Sequence, residues 1–178
     1  MRRIGVVCVL AVLAAVIGCE KGGGTTPQAT FEAYKSAMAN KDFDAVWDML
    51  SADAQRRLDE QAAQLAQAAA KAEGPAKTDI EMKAKLFDMT MDEMKALDGR
   101  KLVTGVFRMA AKMGTNEFGK IGSAQVERVD TSGDRASVFV KIEGKVEKDP
   151  LYLTKEGTLW KVALPEMKPA ASPAPVPQ

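Results

Sequence analysis

Thr131-Ser132-Gly133-Asp134-Arg135-Ala136-Ser137-Val138-Phe139-Val140-Lys141-Ile142 is the stretch that decides the fold. Thr131 to Asp134 supplies the small polar residues and the glycine of a tight turn. From there Ala136, Val138, Val140 and Ile142 fall on one face, and Ser137, Phe139 and Lys141 on the other. A period of two over that length predicts a β-strand with one packed face. Upstream, Ala124 and Val126 alternate until Arg128-Val129 shift the phase, which predicts a bulge or a strand end. Downstream, a third strand is expected through Val146 to Lys155, disturbed at Pro150. Glu156-Gly157 then turns the chain into a fourth strand carrying Trp160, Val162 and Leu164. Short turns between consecutive strands make an antiparallel meander.

Before Gly119 the period is helical. Thr26 can accept from the free amides of a first turn and Pro27 suits the first helical position, so a helix is expected there, with Phe31, Tyr34 and Met38 on one stripe. Asn40 ends it, and Asp42 caps a second helix carrying Phe43, Val46, Trp47 and Leu50. Ser51 caps an alanine-rich helix from about Ala54 to Ala72, whose seam of Leu58, Ala62, Leu65 and Ala69 is thin, and Gly74-Pro75 breaks it. A further helical stretch is expected from Asp79 to Leu97, interrupted near Asp88 and restarted by the capping-box pair Thr90 and Glu93. Asp98-Gly99 separates it from a last helix with Leu102, Val103, Val106, Phe107, Ala110 and Met113, stopped by Gly114. Helices first and strands last predict an α+β domain, N-terminal helices packed on a four-stranded antiparallel curved sheet.

The two ends differ from this domain in composition. Arg2-Arg3, the apolar run Ile4 to Ile17 and Gly18-Cys19 have the layout of a cleaved signal peptide, residues 1–18. The run is shorter than the roughly 20 apolar residues a transmembrane helix needs. Residues 19–26, with Gly22-Gly23-Gly24, read as a flexible tether, and 27–165 as the domain. Residues 166–178, rich in proline and alanine, read as a disordered tail.

Composition excludes whole classes of chemistry. The chain has 178 residues, 25 Lys and Arg against 24 Asp and Glu, and no histidine. Removing residues 1–18 takes away Arg2 and Arg3 and no acid, so the formal charge passes from +1 to −1. That balance gives no electrostatic footprint for nucleic acid. Without histidine, His-dependent triads and His-ligated zinc sites are ruled out. The two cysteines are Cys8 and Cys19, so the domain itself holds no disulfide and no thiolate nucleophile. No cofactor is expected.

Val16-Ile17-Gly18-Cys19 resembles the bacterial lipobox. The resemblance implies cleavage before Cys19 after its thiol has taken a diacylglycerol, hence a lipid-anchored envelope protein. Glu20 follows, not the aspartate of an inner-membrane retention signal, and resemblance to diderm lipoproteins implies the periplasm. Pro27 to Leu50, with Ala29-Thr30-Phe31-Glu32-Ala33-Tyr34 and Lys41-Asp42-Phe43-Asp44-Ala45-Val46-Trp47, together with Glu156-Gly157-Thr158-Leu159-Trp160-Lys161-Val162, resembles the small lipoproteins of the nuclear transport factor two-like superfamily. That resemblance implies a cone of helices and sheet with a hollow at its open end. It implies little about chemistry, since the fold hosts isomerases, dehydratases, transport factors and interaction modules.

Three candidate sites follow. Enzymes of that superfamily place a carboxylate and a tyrosine inside the cone, and Tyr34, Tyr152 and Asp88 are the matching types here. Tyr34 equally fits a core stripe, and Asp88 a helix boundary. Met82, Met89, Met91, Met94, Met109 and Met113 raise a thioether site for copper(I), against their use as flexible core filler. Phe139 and Tyr152, turned away from the helices, would form an outer apolar stripe for an envelope protein or a second copy. The expected function is a membrane-tethered, non-catalytic binding or interaction domain, with a small-molecule enzyme as the alternative.

Anchoring is tested by Cys19→Ser. The expected outcome is transfer of the protein from the membrane to the soluble fraction, with loss of incorporated palmitate. Retention of the variant on membranes would refute a lipid anchor on this residue.

Overall fold

The computed structural model describes residues 22–113 and 120–165. The signal stretch, Cys19, the Gly114 stop and the tail from residue 166 lie outside the described residues. The architecture is α+β. Its sheet is built around the strand first recognised in the sequence, β2 (Arg135–Ile142), which pairs antiparallel with β1 (Gln125–Ser132) across the Gly133 turn. Ala136, Val138 and Val140 are buried on its inner face. The register shifts between Val126 and Arg128, at the phase change seen in the sequence.

The expected third strand is in fact two. β3 (Lys145–Val146) and β4 (Leu151–Glu156) both pair with β2 along the same edge, and residues 147–150 separate them. Pro150 has no amide hydrogen to give to a ladder, so the strand stops around it. The Glu147 amide still donates to the Val140 carbonyl, at 2.9 Å. β5 (Leu159–Val162) completes the order β1-β2-β4-β5. The sheet therefore has five strands, four on the main path, and it is not closed.

Six helices precede it among the described residues: α1 (Pro27–Ala39), α2 (Phe43–Met49), α3 (Ala52–Lys71), α4 (Gly74–Phe87), α5 (Met91–Lys95) and α6 (Gly99–Lys112). Thr26, Asp42, Ser51, Thr90 and Asp98 each cap a helix through a side-chain oxygen. The Thr90–Glu93 capping box is formed in both directions. α4 begins earlier than the apolar pattern suggests. Gly74, expected only to break α3, opens α4, and Pro75 sits in its first turn, where its missing amide hydrogen is not needed. Asp88 ends α4 in the left-handed conformation.

The main core joins Phe31, Met38, Val46, Trp47 and Leu50 of the first two helices to Val138, Leu153, Trp160 and Val162 of the sheet. Two smaller cores hold the other helices, one around Met94, Ile80 and Ala84 and the other around Ala62, Leu97 and Leu102. Arg100 of α6 donates to Asp44 at 2.9 Å and to Asp48 at 2.8 Å, and so fastens that helix to α2. No helix among the described residues is long and apolar enough to cross a membrane.

The free edge of β5 is covered by the start of the chain. The Trp160 amide donates to the Gly24 carbonyl at 2.8 Å, the Gly24 amide donates to Thr30 Oγ1 at 2.9 Å, and Thr30 Oγ1 lies 3.1 Å from the Trp160 carbonyl it donates to. Ser51 N donates to the Val162 carbonyl at 2.8 Å. Thr30 and Ser51 are the two fully enclosed polar residues in the core. Gly24 thus does not hang free, as a tether through Thr26 would have it.

Thr30→Val keeps the shape of this site and leaves the Gly24 amide and Trp160 carbonyl short of a partner. It is expected to destabilise the fold by about 1–3 kcal/mol, read from the midpoint of urea unfolding with an unchanged slope.

Candidate functional site

The principal hollow is a crevice of about 750 Å3 between α3, α6 and the β4–β5 side of the sheet. Its walls are Leu58 and Leu65 of α3, Leu102, Val103, Val106 and Phe107 of α6, and Leu151 and Val162 of the sheet. The hollow follows from the residues around it. α3 approaches its neighbours through Ala54, Ala62 and Ala69, which are buried and short, so the longer Leu58 and Leu65 stay half-exposed beside the gap. Val106, one turn beyond Leu102, is left open to solvent. The break at Pro150 removes strand from the opposite wall.

A second hollow of about 730 Å3 adjoins the first, and the two share Tyr34, Phe107, Asp149, Pro150 and Leu151. Phe107 is held by Phe43, their rings stacked at 4.8 Å. The two hollows differ in charge. Among its described lining residues the first carries a single charged group at neutral pH, Asp149. The second adds Lys120, Lys145, Glu143 and Glu147, with Lys120 and Glu143 paired at 3.5 Å. One cleft therefore runs from an apolar end to a polar end carrying both signs.

Tyr34 stands where the two meet. Among the described residues its hydroxyl has no hydrogen-bond partner, and burial pushes its pKa above the ordinary value of 10.0 because the phenolate would lose its hydration. It is a donor and acceptor at the junction of the two hollows.

The residues singled out in the sequence are brought together only in part. Tyr34 and Tyr152 both line the first crevice. Asp88 does not join them: it ends α4, exposed, and Lys112 Nζ lies 2.6 Å from its carboxylate, which holds its pKa below the ordinary carboxylate value. Its apolar flanks are the helix faces on either side, not its own surroundings. The carboxylate that does line the crevice is Asp149, in an exposed position within the strand break. Sequence reasoning passed over it, although the Asp149-Pro150 disturbance was the signal. It also passed over Leu65 and Val106 as lining residues, for which the thin seam of α3 was the signal.

Phe139 and Tyr152 do share the outer face, since Tyr152 is paired with Ser137 and Phe139 follows two positions on. The stripe is interrupted, because the Arg128 guanidinium covers the Phe139 ring at 4.1 Å and Ser137, Lys141 and Thr154 share that face. Of the methionines, Met94 is fully enclosed with Met89 and Met91 packed around it, whereas Met82 and Met113 are exposed. Their placement follows the small helical core, and no group of three or more acids or cysteines among the described residues is arranged to hold a metal ion.

Comparison with known family models, with curated proteins and with solved structures found no match to this chain.

The chain has two tyrosines, so phenolate absorbance resolves Tyr34 directly. The Tyr34→Phe variant is expected to lack the component that titrates above pH 10. The folded chain keeps a proton there that the unfolded chain releases, so wild-type stability should fall as pH rises beyond 10, and the fall should be smaller in the variant.

Proposed function

We propose that the chain is a membrane-anchored lipoprotein of the cell envelope, held by lipid on Cys19, whose domain is a non-catalytic binding module for a small amphiphile. The observation that carries the ligand reading is the apolar crevice joined at Tyr34 to a hollow of mixed charge. Its size falls in the range of about 300–1,000 Å3 typical of small-molecule sites, and its lining is apolar with few polar groups, as such sites are. An aliphatic chain would lie along Leu65, Val106 and Val162, leaving Tyr34 to bond an oxygen at the junction and Lys120, Lys145 and the acids to receive a polar end.

The order of elements, with helices first and an antiparallel sheet last around a hollow, supports the reading of a cone like that of the nuclear transport factor two-like superfamily. Anchoring rests on the lipobox-like Val16-Ile17-Gly18-Cys19 and on the stability that two or more acyl chains confer on membrane attachment. A proton-transfer enzyme is the second reading, favoured by Tyr34 and Asp149 lining one crevice. Binding ranks above it because Asp149 is exposed to solvent, whereas the crevice walls are apolar.

The test is titration of the chain from Glu20 onward, made without lipid, with the uncharged dye N-phenylnaphthylamine. Saturable fluorescence displaced by a zwitterionic lysolipid is the expected result. Val106→Asp, at an already exposed wall position, should weaken dye binding by roughly tenfold or more, since it sets a charge against an aliphatic chain. Equal binding by this variant, with its unfolding midpoint unchanged, would place the ligand elsewhere.

A further inference from the structure

Gly22-Gly23-Gly24 would ordinarily be a loose linker, yet each of the three is fitted to its surroundings. Gly22 and Gly23 have φ of 117° and 125°, outside the range that side chains readily adopt. A Cβ on Gly22 would stand 2.5 Å from Lys161 Nζ and 3.1 Å from the Asp48 carbonyl. One on Gly23 would overlap the Trp160 carbonyl oxygen, and one on Gly24 would stand 2.7 Å from the Thr30 amide nitrogen. Gly22 is buried, and Lys161 Nζ beside it donates to the Asp48 carbonyl at 2.9 Å. Gly24 is bonded through both its amide and its carbonyl.

The geometry points to a clasp in place of a linker: the three glycines fasten the N-terminal segment to β5, and the lipid on Cys19 therefore holds the β5 edge and the start of α1 against the bilayer. This rests on the reading that Cys19 is lipidated. Only Glu20 and Lys21 stand between Cys19 and the clasp, and three residues of fully extended chain reach at most about 11 Å. Whatever path they take, Gly22 stays within that distance of the anchored residue. The surface next to the bilayer is then the exposed Thr25 and Thr26 at the head of α1, with Arg100, Asp44 and Asp48 beside the clasp. Lys145, paired with Ile142 at the far end of β2, lies seven residues along that strand from the Arg135–Thr154–Lys161 row, about 23 Å away.

The experiment uses the full lipidated protein in vesicles of zwitterionic lipid containing a headgroup quencher. With Cys8 removed in processing and Cys19 acylated, Thr25→Cys or Lys145→Cys supplies the one thiol for a fluorescent label. Strong quenching at position 25, weak quenching at 145, and loss of the contrast on inserting ten Gly-Ser residues after Glu20 are the expected results. Equal quenching at both positions without the insertion overturns the orientation. The clasp is read separately, by hydrogen exchange of the Trp160 amide and by Gly24→Ala, which should lower Tm by about 5 °C or more. A fast-exchanging Trp160 amide together with an unchanged Tm shows a free linker and overturns the clasp. Should the N-terminal peptide prove by mass to carry no lipid, the anchor and the orientation fall together, and a slow Trp160 amide upholds the clasp alone.

Discussion

The hydroxyl of Thr30 is the point on which the rest of the structure depends. It accepts the Gly24 amide and lies within bonding distance of the Trp160 carbonyl, 130 residues away in sequence. Buried polar groups must be paired, because an unmade hydrogen bond away from water is costly. The Thr30 hydroxyl has two carbonyl acceptors at 3.1 Å, Thr26 within its own helix and Trp160 across on β5, so docking of α1 on β5 adds the long-range partner to a local one. Ser51 does the same at the other end of the strand, its amide on Val162 and its hydroxyl on the first turn of α3. The helical half and the sheet half are thereby locked to each other at β5 by polar contacts of fixed geometry, and the apolar core fills in around them.

The two edges of the sheet are protected by different means. β5 has its outward backbone groups taken up by Gly24, Thr30 and Ser51, as an edge strand that belongs inside a fold should. Among the described residues β1 pairs with no strand but β2, and it carries Glu127, Arg128 and Asp130 and a shift of register at Val126/Arg128, features that discourage pairing with another chain. Arg128 serves twice, since it also covers Phe139. Here lies the physical reason that an outer apolar stripe predicted from alternation alone is interrupted: alternation says which way a side chain points, not what the neighbouring strand lays over it.

Much of the fold was legible because it is written in short-range chemistry. The caps at Thr26, Asp42 and Ser51, the capping box at Thr90 and the alternation of Ala136 to Ile142 each act within a few residues, and all appear where the sequence places them. What was missed depends on partners distant in sequence. Gly22-Gly23-Gly24 reads as a linker until Trp160 and Lys161 are set beside it. Gly74-Pro75 reads as a breaker because proline both ends helices and begins them, and only the packing of Ile80 and Ala84 on Met94 decides which. Asp88 reads either as a site carboxylate or as a helix boundary, and its left-handed backbone at the end of α4 and its pairing with Lys112 make it the boundary. Of the candidate site, Tyr34 was legible and the family resemblance implied a hollow, but the walls of that hollow were not, since they are set by which side chains fall short of one another across distant elements.

That absence is traceable to composition. An alanine seam lets α3 come close to its neighbours, at Ala62 to Leu102 of α6 and at Ala69 to Ile80 and Met94, but cannot fill the space between Leu58, Leu65 and the sheet. A core of larger residues would be more stable, because cavities lose packing energy. The space left open stands beside Tyr34, whose hydroxyl is bonded to none of the described residues, and the proposed binding role draws on both. The crevice and the clasp also share an element. Val162 lines the crevice and Trp160 receives Gly24, two residues and so about 7 Å apart along β5. With Cys19 in a membrane, the same strand that ties the domain down forms a wall of its apolar hollow, which brings that wall to the surface where amphiphiles are most concentrated. The proposed ligand and the proposed anchor thus draw on the same four-residue strand.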